Sequence, residues 1–448
     1  MHFLGLSVGK LTLRGLRLLG RTGSALPGRV VEKVSPNFLA GMLAQLPQGV
    51  IIISGTNGKT TTTKLVTKLL ESQGLRVLTN PTGSNFVRGI ISSVVDKASW
   101  GGKLDYDIAV FEQDEAHAVH FARAVQPRGV LVLNVMRDQM DRFGEIDTTL
   151  KLLETLASSA TEFVALNAND ERVSTICTGK SSCVWFGHSK ELQAEFLTDD
   201  QLYHAESADF FQAAKPSVEL TGYDEESVSL SVSGVPHRYR YHLQGGHNAL
   251  NLAAALAVLY QTVPGPDTGK LAEAILTVEP AFGRGEVITL PSGGKLTLQL
   301  VKNPGGFTQA LRMLELKDYQ TVGIAINDDY PDGRDVSWLW DVDFSAIGQL
   351  APPRGVRGPT SHSKAERSDL AQVSVLCGGV RAADMANRLK YDEVPVKSVE
   401  PDIGNYAHAF TQAVSSTDEA VLFCTYTAML KLRSIYLGGS SGLDGGDS

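Results

Sequence analysis

Apolar and polar positions divide the chain into short β-branched runs and longer helical repeats. Residues 49–54 (GVIIIS) form an unbroken apolar run, the signature of a buried strand. A short Gly-containing turn follows, and residues 60–72 place Leu65, Val66, Leu69 and Leu70 at helical spacing. Further buried strands are expected at 106–111, 129–135 and 162–166, separated by helical segments. Strands alternating with helices predict an α/β fold whose parallel sheet carries helices on both faces. Between 170 and 245 the rhythm breaks into short strands and loops, Ser227–Val232 being one strand. Residues 246–260 read as a helix rich in small side chains. Residues 280–294 mark a boundary, and a second α/β alternation follows with strands near 296–301, 321–326 and 373–376. Residues 351–368, rich in Pro, Gly and charge, predict a mobile loop, and the Gly-rich tail after Leu437 predicts disorder. No internal repeat is evident.

Composition narrows the class. The 448 residues are 43% hydrophobic and 20% charged, enough for several cores in an ordinary soluble balance. A formal charge of -8 argues against a general nucleic-acid binder, which more often shows a basic excess. The four cysteines, Cys177, Cys183, Cys377 and Cys424, form no Cys-x-x-Cys pair. Such usage suits a reducing cytoplasm and predicts no disulfide framework. No apolar run approaches the roughly 18 residues of a membrane span. The first 35 residues alternate apolar groups with Lys10, Arg14, Arg17, Arg21 and Arg29, too interrupted for a signal-peptide core. Two readings stay open there: an amphipathic helix packed on its own domain, which we favour, or one lying on an anionic membrane surface.

The sharpest local signal is GTNGKTTT at residues 55–62, between a buried strand and a helix. This is the setting a phosphate loop requires. Gly55 and Gly58 let the backbone N–H groups of Thr56, Asn57 and their neighbours turn inward on phosphate oxygens. The helix N-terminus, with Thr60 and Thr61 in its first turn, adds partial positive charge for the same anion. Lys59 is expected to reach the β/γ-phosphates of ATP, and the Thr60 hydroxyl to ligate Mg²⁺. The motif is not a full Walker A, because Ile53 stands where that pattern has its first glycine.

That shortened loop resembles the Mur ligases and folylpolyglutamate synthases. Further pieces of their pattern follow in order: TGSN (82–85), FEQDEAH (111–117), LNVMRDQMDRFGE (133–145), LNANDE (166–171), GGHNALNLAAALA (245–257) and FGRGE (282–286). The resemblance implies adenine contacts for Asn248 and Asn251 and a place near the phosphates for Arg284. Glu112, at the end of a buried strand, is a candidate Mg²⁺ ligand, directly or through water. LVKNPGGFTQAL (300–311), INDDYPDGRDVSWLWDVDFS (326–345), CGGVRAADMANRLKY (377–391) and TYTAMLKLR (425–433) narrow the match. They look like the C-terminal domain of the MurT family, the Mur-ligase-like subunits of lipid II isoglutaminyl synthases. The fold so implied is an α/β P-loop central domain at 46–290 and a Rossmann-like α/β domain at 291–437. An N-terminal helical segment (1–45) packs on the central domain, and 438–448 form the tail.

In that family a GatD-like glutamine amidotransferase is the partner, and the pair amidates the D-glutamate α-carboxyl of lipid II. The resemblance thus implies an ATP-dependent ligase in the cytoplasm, working at the inner face of the membrane. Two departures stand out. Family members often carry a four-cysteine zinc ribbon, whereas the matching stretch here has only Cys177 and Cys183, with His188 and His204 nearby. A tetrahedral zinc site wants four N or S ligands, so none is expected. Lys302 stands before Asn-Pro, where many relatives have an acidic residue near the ribose. Lys302, Arg284 and Arg334 are candidate cations for two anionic substrates. A glutaminase needs an activated cysteine, and Cys377 reads instead as a buried strand-end residue. By the resemblance, an aspartate of DGRDVSW completes the partner's Cys–His pair. Asp335 is favoured as this catalytic residue, with Asp332 and Asp341 behind it; turn chemistry is the plainer account. The competing functions are a ligase adding an amino acid and a P-loop switch ATPase.

Overall fold

The computed structural model describes residues 2–18, 25–80, 86–136, 146–177, 181–196, 210–243, 245–280, 283–315, 317–348, 350 and 373–438. The loop expected at 351–368, the TGSN motif, His204 and the tail after Gly438 lie outside these residues. The described residues form two compact units, one within 2–136 and 146–279 and one within 280–438.

The first unit opens with helices α1 (His2–Leu18), α2 (Ala25–Val34) and α3 (Phe38–Leu43). Strand β1 (Val50–Ser54) leads into α4 (Lys59–Ser72), then β2 (Val77–Thr79), α5 (Val87–Lys97), β3 (Ile108–Glu112), α6 (Glu115–Ala124) and β4 (Gly129–Val132). Helix α7 (Ile146–Ala157), β5 (Phe163–Asn167) and β6 (Ser182–His188) continue the alternation. All six strands run parallel, in the order β2-β3-β1-β4-β5-β6.

The sheet goes on where the sequence rhythm faded. Strand β7 (Val218–Tyr223) adds parallel to β6, and β8 (Ser227–Val232) and β9 (Val235–Arg240) complete an antiparallel edge of a nine-stranded sheet. Alternation splits β1 between two cores. Ile51 and Ile53 join Leu65, Leu69 and the small-residue helix α8 (Gly246–Thr262), while Val50 and Ile52 join residues of α3, α5, α6 and α7. Helix α9 (Thr268–Leu276) closes the unit.

In the second unit the residues read as a boundary contain a strand. β10 (Arg284–Thr289) pairs antiparallel with β11 (Lys295–Leu300). Helix α10 (Pro304–Leu311), β12 (Thr321–Ala325), β13 (Ser374–Gly378), α11 (Ala382–Tyr391), β14 (Ser398–Glu400), α12 (Ile403–Ala413), β15 (Glu419–Cys424) and α13 (Tyr426–Tyr436) follow. The sheet order is β10-β11-β15-β12-β13-β14, parallel beyond its first pair. The expected α/β class holds in both units, with antiparallel additions.

The absence of disulfides expected from composition needs correction: Cys177 and Cys183 are disulfide-bonded, with Cα atoms 6.1 Å apart. The two cysteines stand only six positions apart in sequence, so local spacing outweighs what the overall cysteine count suggested. Among the described residues no helix is long and apolar enough to cross a membrane.

Candidate active site

Strand β1 is flanked by β3 on one side and β4 on the other, so the connections leave it in opposite directions. Crevices at such switch points, beyond the carboxyl ends of the strands, are where open α/β sheets bind ligands. The GTNGKT loop fills this place. Gly58 has φ 87°, a left-handed conformation that L side chains rarely adopt, and caps α4. A Cβ there would lie 2.5 Å from the Asn251 side-chain oxygen, so the loop is seated directly on α8. Asn248, one turn earlier, is buried on the same helix.

Polar clamps hold the loop. Asn134 Oδ1 accepts from the Asn57 N–H at 2.9 Å, and Asn134 Nδ2 donates to the Asn57 carbonyl at 3.1 Å. The Thr56 hydroxyl donates to the Met136 carbonyl at 3.2 Å and accepts from its N–H at 3.0 Å. Lys59 is buried. Its Nζ donates to the Gly55 and Thr56 carbonyls and pairs with Glu115 Oε1 at 3.2 Å. Thr61 is buried one residue past the expected metal ligand.

The Thr60 hydroxyl donates to Glu112 Oε1 at 2.9 Å. Asn80 in turn brackets Glu112, accepting from its N–H at 3.0 Å and donating to its carbonyl at 3.1 Å. Lys59, Thr60 and Glu112, chosen from sequence, therefore sit in one cluster. Glu115, Asn134 and Asn80 belong to it too and were not singled out. Nearby, Asp170 is buried and accepts from Val135 N at 3.1 Å and Val173 N at 3.0 Å, and burial raises its carboxyl pKa.

The donor set fits a magnesium nucleotide: paired hydroxyl and carboxylate oxygens suit a hard cation, and the glycine loop leads into the N-terminus of α4, whose partial positive charge suits phosphate. The cysteines do not fit a zinc ribbon, because Cys177 and Cys183 bond to each other. His188 stacks on Phe196 with ring centroids 4.7 Å apart, and burial lowers its pKa.

The second unit holds the remaining candidates. Arg284 starts β10 between Gly283 and Gly285, and nearby Glu286 accepts twice from Arg433 Nε, at 2.9 and 3.1 Å. The three aspartates differ sharply. Asp332 is buried and accepts from the Thr427 N–H at 2.8 Å and from the Thr427 hydroxyl, at the start of α13. Burial raises its pKa. Asp335 is exposed, accepts from the Ser337 N–H at 2.8 Å, and is held below the usual carboxylate range by that residue. Asp341 is exposed. Arg334 is exposed and Lys302 half-buried. Cys377 lies inside β13 with its thiol pushed up to about 12 by burial, and Cys424 is equally enclosed.

Comparison with known proteins finds relatives of both units. The Mur ligase middle domain model matches residues 53–259, and the MurT ligase C-terminal model matches 300–358 and 361–429. The lipid II isoglutaminyl synthase (glutamine-hydrolyzing) subunit MurT of Streptococcus pneumoniae is 30% identical over 464 residues, covering 96% of each chain. The Staphylococcus aureus protein of that name is 29% identical over 88% of this chain and 89% of its own. Among solved structures, MurF from Acinetobacter baumannii superposes with a TM-score of 0.65 at 16% identity, covering 92% of this chain and 80% of that one.

Proposed function

The chain belongs to the MurT family of Mur ligases, and from that premise we propose that it amidates the D-glutamate α-carboxyl of the lipid II stem peptide to D-isoglutamine. The reaction is an ATP-dependent carbon–nitrogen ligation in the cytoplasm, at the inner face of the membrane that carries the lipid. The observation behind it is the single cluster of Lys59, Thr60 and Glu112 at the glycine loop.

A carboxylate is a poor electrophile, since its charge is delocalised and its leaving group would be oxide. In the reaction we propose, a carboxylate oxygen takes the γ-phosphoryl group of ATP, giving an acyl phosphate and ADP. Ammonia then attacks the carbonyl carbon, the C–O bond to phosphate breaks, and a proton leaves the nitrogen. The chain's part is positioning and charge neutralisation. Lys59 offers its ammonium to the phosphates, and Glu115 keeps that ammonium at the loop. Asn134 fixes the Asn57 peptide, and Thr60 with Glu112 would hold Mg²⁺, whose charge offsets that of the phosphates when bound. Asn248, Asn251 and Arg284 are assigned to the nucleotide by family resemblance.

The nitrogen comes from elsewhere. Of the four cysteines two are in a disulfide and two are buried, so no thiolate is poised for glutamine hydrolysis. A GatD-like amidotransferase is the proposed partner. Asp335 suits the role of orienting its histidine, being exposed and ionised, while Asp332 is committed to a helix end. The deciding experiment incubates the chain with Mg-ATP, lipid II and ammonium, then weighs the product. Replacement of one hydroxyl by an amino group is expected. Addition of an amino acid instead, or ATP turnover without lipid II, would overturn the assignment.

A further inference from the structure

Helix α1 has two apolar faces, and only one is used. Its inner face is built for contact within the unit: a Cβ on Gly5 would lie 2.8 Å from the Ser35 Cβ, and one on Gly9 would lie 2.6 Å from a Val31 methyl. Leu6 is buried in the same core. The outer face carries Leu4, Leu11 and Leu18, each two turns from the next and so nearly superposed along the axis. With Phe3 beside them, these side chains are 61% to 88% exposed. Burying them would release solvent from a continuous stripe, yet nothing among the described residues of the unit covers it.

Charge identifies what covers it. Residues 1–31 contain Lys10, Arg14, Arg17, Arg21 and Arg29 and no Asp or Glu, in a chain whose net charge is -8. Lys10, Arg14 and Arg17 flank the leucine stripe on one side. Lys10 Nζ and Arg14 lie over the half-exposed ring of Trp100, at 5.4 and 4.7 Å from its centroid. Arg17 reaches Asp96 at 2.8 Å. An apolar stripe bordered by cations and an indole matches the boundary between anionic headgroups and acyl chains. A second copy is disfavoured, because the same cations would face each other. A coiled-coil partner would want two apolar positions per heptad, and the stripe offers one.

We propose that α1 is a membrane-docking helix, seated by its glycine face on the first unit and laid by its leucine face on an anionic bilayer. This deepens the lipid II reading and rests on it for its purpose, since it would bring the ligase to a membrane-bound substrate. The docking itself is tested without catalysis. The full chain is sedimented with vesicles of phosphatidylcholine containing phosphatidylglycerol, and with phosphatidylcholine alone. Binding is expected to the anionic vesicles, to weaken with added salt, and to be lost in L4Q/L11Q/L18Q. Arg14→Ser should weaken it about five-fold, the value of about 1 kcal/mol per cation near such a surface. If the triple variant does not fold, as judged by its melting curve, K10S/R14S decides by the same measure. Native-level vesicle binding by these variants, or no binding at low salt, would overturn the proposal. So would a native dimer that the triple variant converts to monomer. Amidation of detergent-solubilised lipid II by the triple variant tests the ligase reading separately. Activity there with lost vesicle binding supports both, and a native chain that binds anionic vesicles but amidates no detergent-solubilised lipid II defeats only the ligase.

Discussion

Gly58→Ala is the most informative single change, because its consequence can be worked from the backbone and one neighbour. Gly58 sits at φ 87°, where an L residue pays about 1–2 kcal/mol in strain. The new methyl would also meet Asn251 Oδ1 at 2.5 Å, far inside van der Waals contact. Relief requires the amide or the loop to move by about 1 Å, and overpacking of this kind costs about 1–3 kcal/mol. Together the two effects give about 2–5 kcal/mol. At about 2–4 °C per kcal/mol for a domain of this size, melting should fall by about 4–20 °C. A displacement of about 1 Å at a positioning loop costs on the order of 10²-fold in turnover. Differential scanning fluorimetry and ammonium-driven amidation read the two effects separately. G58A/N251A removes the collision but not the φ strain, so it should regain part of the melting temperature. Amidation should stay low in the double variant, since Asn251 is itself assigned to the nucleotide. Wild-type melting and turnover in Gly58→Ala would refute the seating of the loop on α8.

Lys59→Ala should abolish ATP-dependent amidation while circular dichroism stays native-like, with melting lowered because buried Glu115 loses its cation; near-normal turnover at saturating ATP would sink the phosphate-loop assignment. Asp335→Asn, in complex with the glutaminase partner, should cut glutamine hydrolysis by on the order of 10⁴-fold, as for an orienting aspartate in a hydrolytic triad, and spare ammonium-driven amidation. Asp332→Ala should instead lower the melting temperature, with loss of a helix-capping carboxylate worth about 0.5–2 kcal/mol, and unchanged melting would show that it caps nothing. His188 is held neutral by burial, so its folded pKa lies below its unfolded value. The stability it carries is whole above the unfolded pKa of about 6.5 and drains away as pH falls toward the folded value. His188→Gln should flatten that acid-side decline in chemical denaturation curves, and an unaltered pH slope would count against this.

The sequence disclosed the parts of the site whose residue type is dictated by local backbone. A β-branched run, two glycines and Lys-Thr-Thr leave few alternatives for 50–62, and both strand and helix lie within a residue or two of expectation. The partners that act across the sheet were hidden. Glu115 is indistinguishable from Asp114 in an acidic run until the start of α6 aims one of them at Lys59. Asn134 and Asn80 follow strands whose neighbours are fixed only by sheet order. Strand β6 went unread because its exposed and half-buried start, Ser182 and Cys183, breaks the apolar run. The same limit applied to the aspartates: Asp332 and Asp335 share one loop, and only the position of α13 separates a buried cap from an exposed carboxylate.

That buried cap has a further consequence. Asp332 ties its loop to the first turn of α13, and Asn327 adds two ties, its N–H to the Thr425 hydroxyl at 2.9 Å and its amide to the Thr427 hydroxyl at 3.0 Å. Three residues beyond this anchor stands Asp335. A segment rooted so firmly has given up most of its conformational freedom during folding, before any encounter. The amidotransferase proposed to dock on Asp335 would meet a carboxylate already held in place. Little ordering entropy then remains to be lost on association, so the contact can be small, fast to form and still well aligned.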